Sequence, residues 1–172
     1  MIRTILVPLD GSALSERVLP LARELACGLS ARVVLVCVAG EGLQLDLTLT
    51  EEDRRAIAEQ YAGVREEDHA LSTDPRMVEH AQKQVRAIAE AERYLAAVAA
   101  RLGAEGLAVE ATVPYGSAVD GILTEIDVHS ADLVVMSTHG RSQLRQLIGG
   151  SVARGLLARS PVPVLLAPPE HE

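Results

Sequence analysis

The chain has no phenylalanine, no tryptophan and only three tyrosines among its 172 residues. Its core must therefore be aliphatic. Stacking-based capture of single-stranded nucleic acid, which needs aromatic platforms, is excluded. Positive charge is scarce as well: 24 acidic residues face 16 basic ones, a net charge of -8. A general nucleic-acid binder draws its affinity from neutralised phosphates, so no nucleic-acid partner is expected. No apolar run reaches membrane-spanning length, and no membrane partner is expected either. The first residues, MIRTILVPLDGS, lack the basic, apolar and small-residue succession of a secretory signal, so the expected location is the cytoplasm. Cysteine is nearly missing. Cys27 and Cys37 form no CxxC and have apolar sequence neighbours, which predicts two buried structural thiols rather than a redox pair or metal site. A last absence is local. No acidic residue occurs from Leu133 to Pro169, although four of the 16 bases (Arg141, Arg145, Arg154, Arg159) lie there.

What is present is 48% hydrophobic residues with 23% charged, the balance of a folded domain. The length suits a single domain, residues 1–172. Four nearly continuous, β-branched apolar runs read as strands covered on both faces: Thr4 to Leu9, Val33 to Val38, Leu133 to Ser137 and Val162 to Ala167. A weaker fifth is Ala108 to Val113. Helical patterns lie between them. Ser12 or Ser15 caps a helix to about Cys27, which Pro20 forces to start late or bend. Ser117 to His129 and Ser151 to Ala158 carry apolar residues at helical spacing. Alternation of this kind predicts an α/β fold: an open, five-stranded parallel sheet in the order 3-2-1-4-5 with helices on both faces, Rossmann-like.

The stretch from Ala39 to Asp74 is too long for an ordinary connection. Together with the start of the next helix it predicts an insertion or helical arm at about residues 39–80. A short capped helix is expected after Thr50 and a turn at "HALSTDP". A long helix runs from Pro75 to about Leu102, with Ala81, Val85, Ile88, Leu95, Val98 and Leu102 as its apolar stripe. Past about Ala87 it is an ordinary crossover helix on the sheet. Before that point, crossover and projecting arm stay equally open.

In open parallel sheets, ligands bind beyond the carboxyl ends of the strands, where strand order reverses. Two loops qualify: "PLDGS" after the first strand and "MSTHG" after the fourth. The Gly149-Gly150-Ser151 turn then opens a helix, whose free N–H groups and positive dipole end suit phosphate. No carboxylate nearby opposes it. There is no GxGxxG and no GxxxxGK[ST], so the familiar dinucleotide and P-loop sites are missing. Plainer roles exist for each residue. Asp10 can cap the first helix, Val38 and Met136 can be core, and His139 can be a turn residue. His69, His80, His129 and His171 have no metal-ligand spacing and are expected in solvent. Ser12 and Ser151 lack a His/acid pair, which argues against nucleophilic catalysis.

The segments "ILVPLDGSALSERVLPLARELA", "VVLVCV" and "STHGRSQLRQLIGGSVARGLLARSPVPVLL" resemble the universal stress protein family over most of the chain, except roughly residues 41–74. Nucleotide-binding members carry G-x2-G-x9-G-[ST]. Here the corresponding positions are Ser137, Gly140, Gly150 and Ser151, so the first glycine is replaced by serine. The resemblance implies ATP, with or without Mg2+, as the bound cofactor. It implies that Asp10 bonds the ribose or adenosine part, with Pro8 and Leu9 beside it. Val38 would line the adenine pocket and Met136 would pack near the base. His139 and Gly140 would face the phosphates. Gly150, Ser151, Val152 and Ala153 would hold phosphates and ribose through backbone N–H groups and the Ser151 hydroxyl.

The expected function is a stress-response, nucleotide-responsive regulator rather than an enzyme, with slow ATP hydrolysis at most. One alternative is a member that binds no nucleotide and acts as a protein-interaction module, which Ser137 favours. An adenylyl transferase is the third, but no acceptor site is visible. The last strand, uncharged and at the sheet edge, needs cover. Pairing with the same strand of a second copy would supply it, and the resemblance also implies such a homodimer. The interface would use Val162, Val164 and Leu166, or else Pro163, Leu165 and Ala167.

Overall fold

The computed structural model describes residues 1–40, 75–137 and 151–167. The helix expected after Thr50, the "HALSTDP" turn and the C-terminal "PPEHE" tail lie outside the described residues. Five strands form one parallel sheet: β1 (Thr4–Pro8), β2 (Arg32–Val36), β3 (Val109–Thr112), β4 (Leu133–Ser137) and β5 (Val164–Ala167). Their order is β3-β2-β1-β4-β5, so strand order reverses at β1. The predicted order, class and number of strands all hold. Bounds differ by a residue or two. Leu9, Cys37 and Val38 lie just past the strands, and β5 starts at Val164 because Pro163 interrupts the ladder.

Every residue of β1 is buried, and each strand side serves a different layer. Ile5, Val7, Val33 and Leu35 face α2 (Leu19–Leu29) and α3 (Pro75–Ala104), with Ala22, Ala26, Tyr94, Leu95 and Val98 in the same cluster. Leu6, Val34, Val36 and Val134 face α4 (Ala118–Val128) and α5 (Ser151–Arg159), meeting Ile122, Ile126, Ala153 and Leu156. This two-sided cover is why the strands read as unbroken apolar runs. In α3 the buried stripe is Ala89, Ala91, Tyr94, Leu95, Val98 and Leu102. Val85 and Ile88, expected on it, are only partly buried.

The first helix is broken in two. Ser12 caps α1 (Ala13–Glu16), and α2 restarts at Leu19. Pro20 has no N–H for the Glu16 carbonyl, so the chain tightens instead: Arg17 and Val18 donate to Leu14 and Ser15 carbonyls. The helices α2 and α4 end alike. Ser30 and Ser130 take positive φ, 52° and 49°, where glycine is usual, and the buried Ala31 and Ala131 follow.

Two residues differ from expectation. Cys27 is exposed, because α2 points its neighbours Ala22 and Ala26 at the sheet; Cys37 is buried as expected. His129 is not solvated. Its side chain is 19% exposed and stands between Glu110 and Glu125, with N···O separations of 3.4 and 3.1 Å. Arg32 completes this cluster, donating to Thr4 Oγ1 (3.1 Å), Glu110 (2.5 Å) and the His129 carbonyl (2.9 Å). It ties β1, β2 and β3 to the end of α4 at the amino ends of the strands.

Asp132 fixes the start of β1 by accepting from the Arg3 and Thr4 backbone N–H groups at 2.7 and 3.0 Å. These bonds hold its carboxyl below the usual value of 3.8. A depressed folded-state pKa contributes stability above the unfolded value, lost as pH falls through the folded one. Asp132→Ala should therefore lower the melting temperature at neutral pH, and the gap to the parent should close below pH 3.8. Thermal melts across that range test this.

Candidate functional site

After Leu9 donates to the Val36 carbonyl (2.8 Å), β1 and β2 stop pairing. The splay opens a cleft of about 380 Å³ at the carboxyl ends of the central strands, lined by Pro8, Leu9, Asp10, Val38, Met136 and Ser137, among others. That size falls within the ~300–1,000 Å³ typical of small-molecule sites. Past the splay, the backbone N–H and C=O of Val38 make no hydrogen bond among the described residues. Val38 is one of the residues that line the cleft. A larger, shallower groove of about 550 Å³ lies at the opposite end of the sheet, around Arg3, Cys27, Arg32 and Leu107. It sits at the amino ends of the strands, away from the reversal of strand order, so the smaller cleft is the stronger candidate.

Asp10 is the only acidic residue among the described cleft residues. Its Oδ1 accepts from the Ser12 N–H (3.0 Å) and the Ser12 hydroxyl (2.6 Å). Ser12 Oγ accepts in turn from the Ser15 N–H at 3.1 Å, so Ser12 is the cap of α1 and Asp10 braces it. The Ser15 hydroxyl accepts from the Asp10 N–H (3.3 Å) and donates to the Ser12 carbonyl (2.9 Å). This ring of bonds sets the loop. Behind it, burial and the nearby Asp10 charge push the Cys37 thiol up to about 12, so it stays protonated and inert.

Two helices begin at the cleft. Ser151 and Val152 line it at the start of α5, and Ala118 at the start of α4, next to the capping Ser117. Their free N–H groups and dipole ends bring partial positive charge. The helices are locked together. A Cβ on Gly155 would come within 2.6 Å of Val119, so the backbone of α5 lies on that side chain. Arg159 also pairs with Asp120 at 2.7 Å.

Of the expected residues, Pro8, Leu9, Asp10, Val38, Met136, Ser137, Ser151 and Val152 meet at the cleft. Met136 and Ser137 are each only 8% exposed. Ala153 is buried in the apolar cluster beneath and does not line it. His139, Gly140 and Gly150 lie outside the described residues. Sequence reasoning missed Ser15, Val36, Gly40, Gly116, Ala118 and Ile122. The signal for two of them, Gly116 and Ala118, was the "PYGSA" turn after β3. There the β2–β3 pairing continues as a bridge between Ala39 and Tyr115, with Gly116 donating to the Ala39 carbonyl at 2.8 Å. Gly116 has φ +126°, and the α-carbon of Gly40 lies against its carbonyl. The far wall of the cleft is thus bare backbone.

Among the described residues, no group of three or more His, Cys, Asp or Glu could hold a metal ion. No helix among them is long and apolar enough to cross a membrane.

The model of the universal stress protein family matches residues 1–168. Solved structures share the fold. A universal stress protein in complex with cAMP is 21% identical, with a TM-score of 0.57 and 96% of each chain covered. A universal stress protein from Archaeoglobus fulgidus is 23% identical, TM-score 0.60, covering 96% of this chain and 98% of that one. An Arabidopsis thaliana family protein with AMP bound is 15% identical, TM-score 0.59, covering 98% and 92%. No curated protein matches the chain.

The glycine wall carries a prediction. Gly40→Ala drives a methyl group into the carbonyl of Gly116, a residue whose N–H is tied to the Ala39 carbonyl. Overpacking of this kind should cost about 1–3 kcal/mol, measured by denaturant unfolding.

Proposed function

This chain belongs to the universal stress protein family, and we propose that it is a cytoplasmic, ATP-responsive regulator whose ligand occupies the cleft beyond β1. The observation that carries the reading is the Val38 backbone, which pairs with no described residue, in a cleft also lined by the apolar Met136 and Ile122. An adenine ring offers a donor and an acceptor on one edge and a flat apolar face. Asp10 would then take the ribose. The starts of α4 and α5 would face the phosphates, with Val152 and the Ser151 hydroxyl at the second of these. In this reading Gly140 and Gly150 serve the phosphate end as motif positions, with His139 beside Gly140. Mg2+ would ride on the phosphates, since Asp10 is the one carboxylate among the described cleft residues and braces Ser12.

The described cleft residues include no histidine to activate a serine or a water. The competing reading, an interaction module without nucleotide, rests on Ser137, a side chain where nucleotide-binding relatives have glycine. Adenine nucleotide should raise the melting temperature, since a ligand of the native state stabilises it by mass action. Asp10→Ala should weaken ATP at least several-fold, as expected for loss of a charged hydrogen bond. Ser137→Gly should keep or tighten binding. Absence of both thermal shift and calorimetric heat at millimolar ATP would decide for the interaction module.

The reading includes a homodimer through β5. This edge strand is uncharged, and Leu165 is exposed at 37%. Val164→Lys with Leu165→Lys should yield monomer by light scattering. A parent protein that is monomeric at micromolar concentration would refute the dimer.

A further inference from the structure

Helix α1 has only four residues, too few to hold itself in place. Part of its support is the Ser12–Asp10–Ser15 ring. The helix also packs against β4, and α3 grips it twice. Arg101 donates to Glu16 at 2.6 Å. About two turns earlier stands Tyr94, 5% exposed and packed with Leu9, Val18 and Cys37. Its hydroxyl is fully buried and lies beside Glu16 and Ser15, without a well-formed hydrogen bond to either. A buried polar atom in this state is unusual, and a functional role is one of the standard reasons for it. Burial first, then the Glu16 charge, keeps the phenol well above its ordinary range, so it remains a neutral donor. Ser15 separates Tyr94 from the cleft. It lines the cleft and takes the Asp10 N–H.

We propose that Tyr94 is a positioning residue for the cleft: its hydroxyl, acting through Ser15 and Glu16, sets the Asp10 loop and couples α3 to occupancy of the site. The proposal rests on the nucleotide reading above and adds its regulation. In the free protein the hydroxyl is left without a settled partner. Ligand at Asp10 draws the loop into one arrangement, and the Tyr94 hydroxyl closes on Glu16 or Ser15. The coupling is reciprocal, so whatever displaces α3 changes affinity at the cleft by the same factor. The long crossover helix thereby becomes the element that reports the ligand.

The test combines calorimetry with ATP or AMP and hydrogen exchange of the full chain. Tyr94→Phe keeps the ring and its packing. It should bind about 3- to 10-fold more weakly, the effect of one net hydrogen bond. Ser15→Ala should weaken binding too, and the double variant should be no weaker than Ser15→Ala alone, as required of residues acting in series. Nucleotide should slow exchange in the parent both around Asp10 and along residues 89–101. In Tyr94→Phe only the response near Asp10 should remain, which lost packing alone would not produce. Arg101→Ala removes the exposed grip without threatening the core and should reduce the α3 response. Unchanged α3 exchange in the parent at saturating nucleotide overturns the coupling while leaving the nucleotide reading intact. So do strictly additive effects of Tyr94→Phe and Ser15→Ala. If the parent binds no adenine nucleotide at all, the nucleotide reading fails, and this proposal falls with it.

Discussion

The structure depends on β1 being the strand at which the order of the parallel sheet reverses. It pairs with β2 on one side and β4 on the other, and every one of its residues is buried. Both neighbours are reached by crossovers of the same hand, so their connecting helices fall on opposite faces. A crevice beyond the carboxyl ends of the strands is the usual consequence of such a reversal in strand order. The cleft is a consequence of strand order, not of any one residue. What the residues add is its lining: Leu9 ends the ladder, the Val38 backbone pairs with no described residue, and Asp10 braces the turn.

The opposite end of the sheet shows how much has to be closed for the cleft to stay open. There Asp132 ties down the start of β1, and Arg32 spans Thr4, Glu110 and the His129 carbonyl. These polar bonds join the same strands that splay at the cleft. Apolar packing on both faces fixes their spacing, and the arginine and carboxylate clusters fix one end. The only end free to diverge is the one that carries the candidate site.

The fold was legible because its cause is spread over many residues. A strand covered on both faces must be apolar throughout, and five such runs with helical patterns between them leave little choice of topology. The cleft was legible where a loop directly follows a strand, as at Pro8 to Asp10 and Met136 to Ser137. It was not legible where residues arrive through tertiary approach. Gly40 and Gly116 meet only because β2 and β3 stay paired past their ends, and Ser15 reaches the cleft from α1, held by the Asp10 N–H and the Ser12 carbonyl. Single-residue environments failed for a related reason. Cys27 has apolar neighbours in sequence, but one step around the helix from Ala26 is already solvent. His129 lies at a helix end, where solvent is the natural guess, yet Glu110 reaches it from a strand distant in sequence.

The lining also has a direction. Acceptor character is concentrated at Asp10, apolar surface at Met136, Ile122 and the Val38 side chain, and partial positive charge at the starts of α4 and α5. A ligand that satisfies all three must carry hydroxyl donors, a flat apolar part and an anion, in fixed relative positions. Simple anions would leave Asp10 uncompensated, and a purely apolar ligand would leave the Val38 backbone unpaired. Free carboxylates are disfavoured wherever they approach Asp10. Among common metabolite classes, a nucleotide meets these conditions together. The same argument explains why the acid-free stretch from Leu133 to Pro169 contains Ser151 and Val152 at the start of α5. In a chain with a net charge of -8, an anion would otherwise be repelled from most approaches.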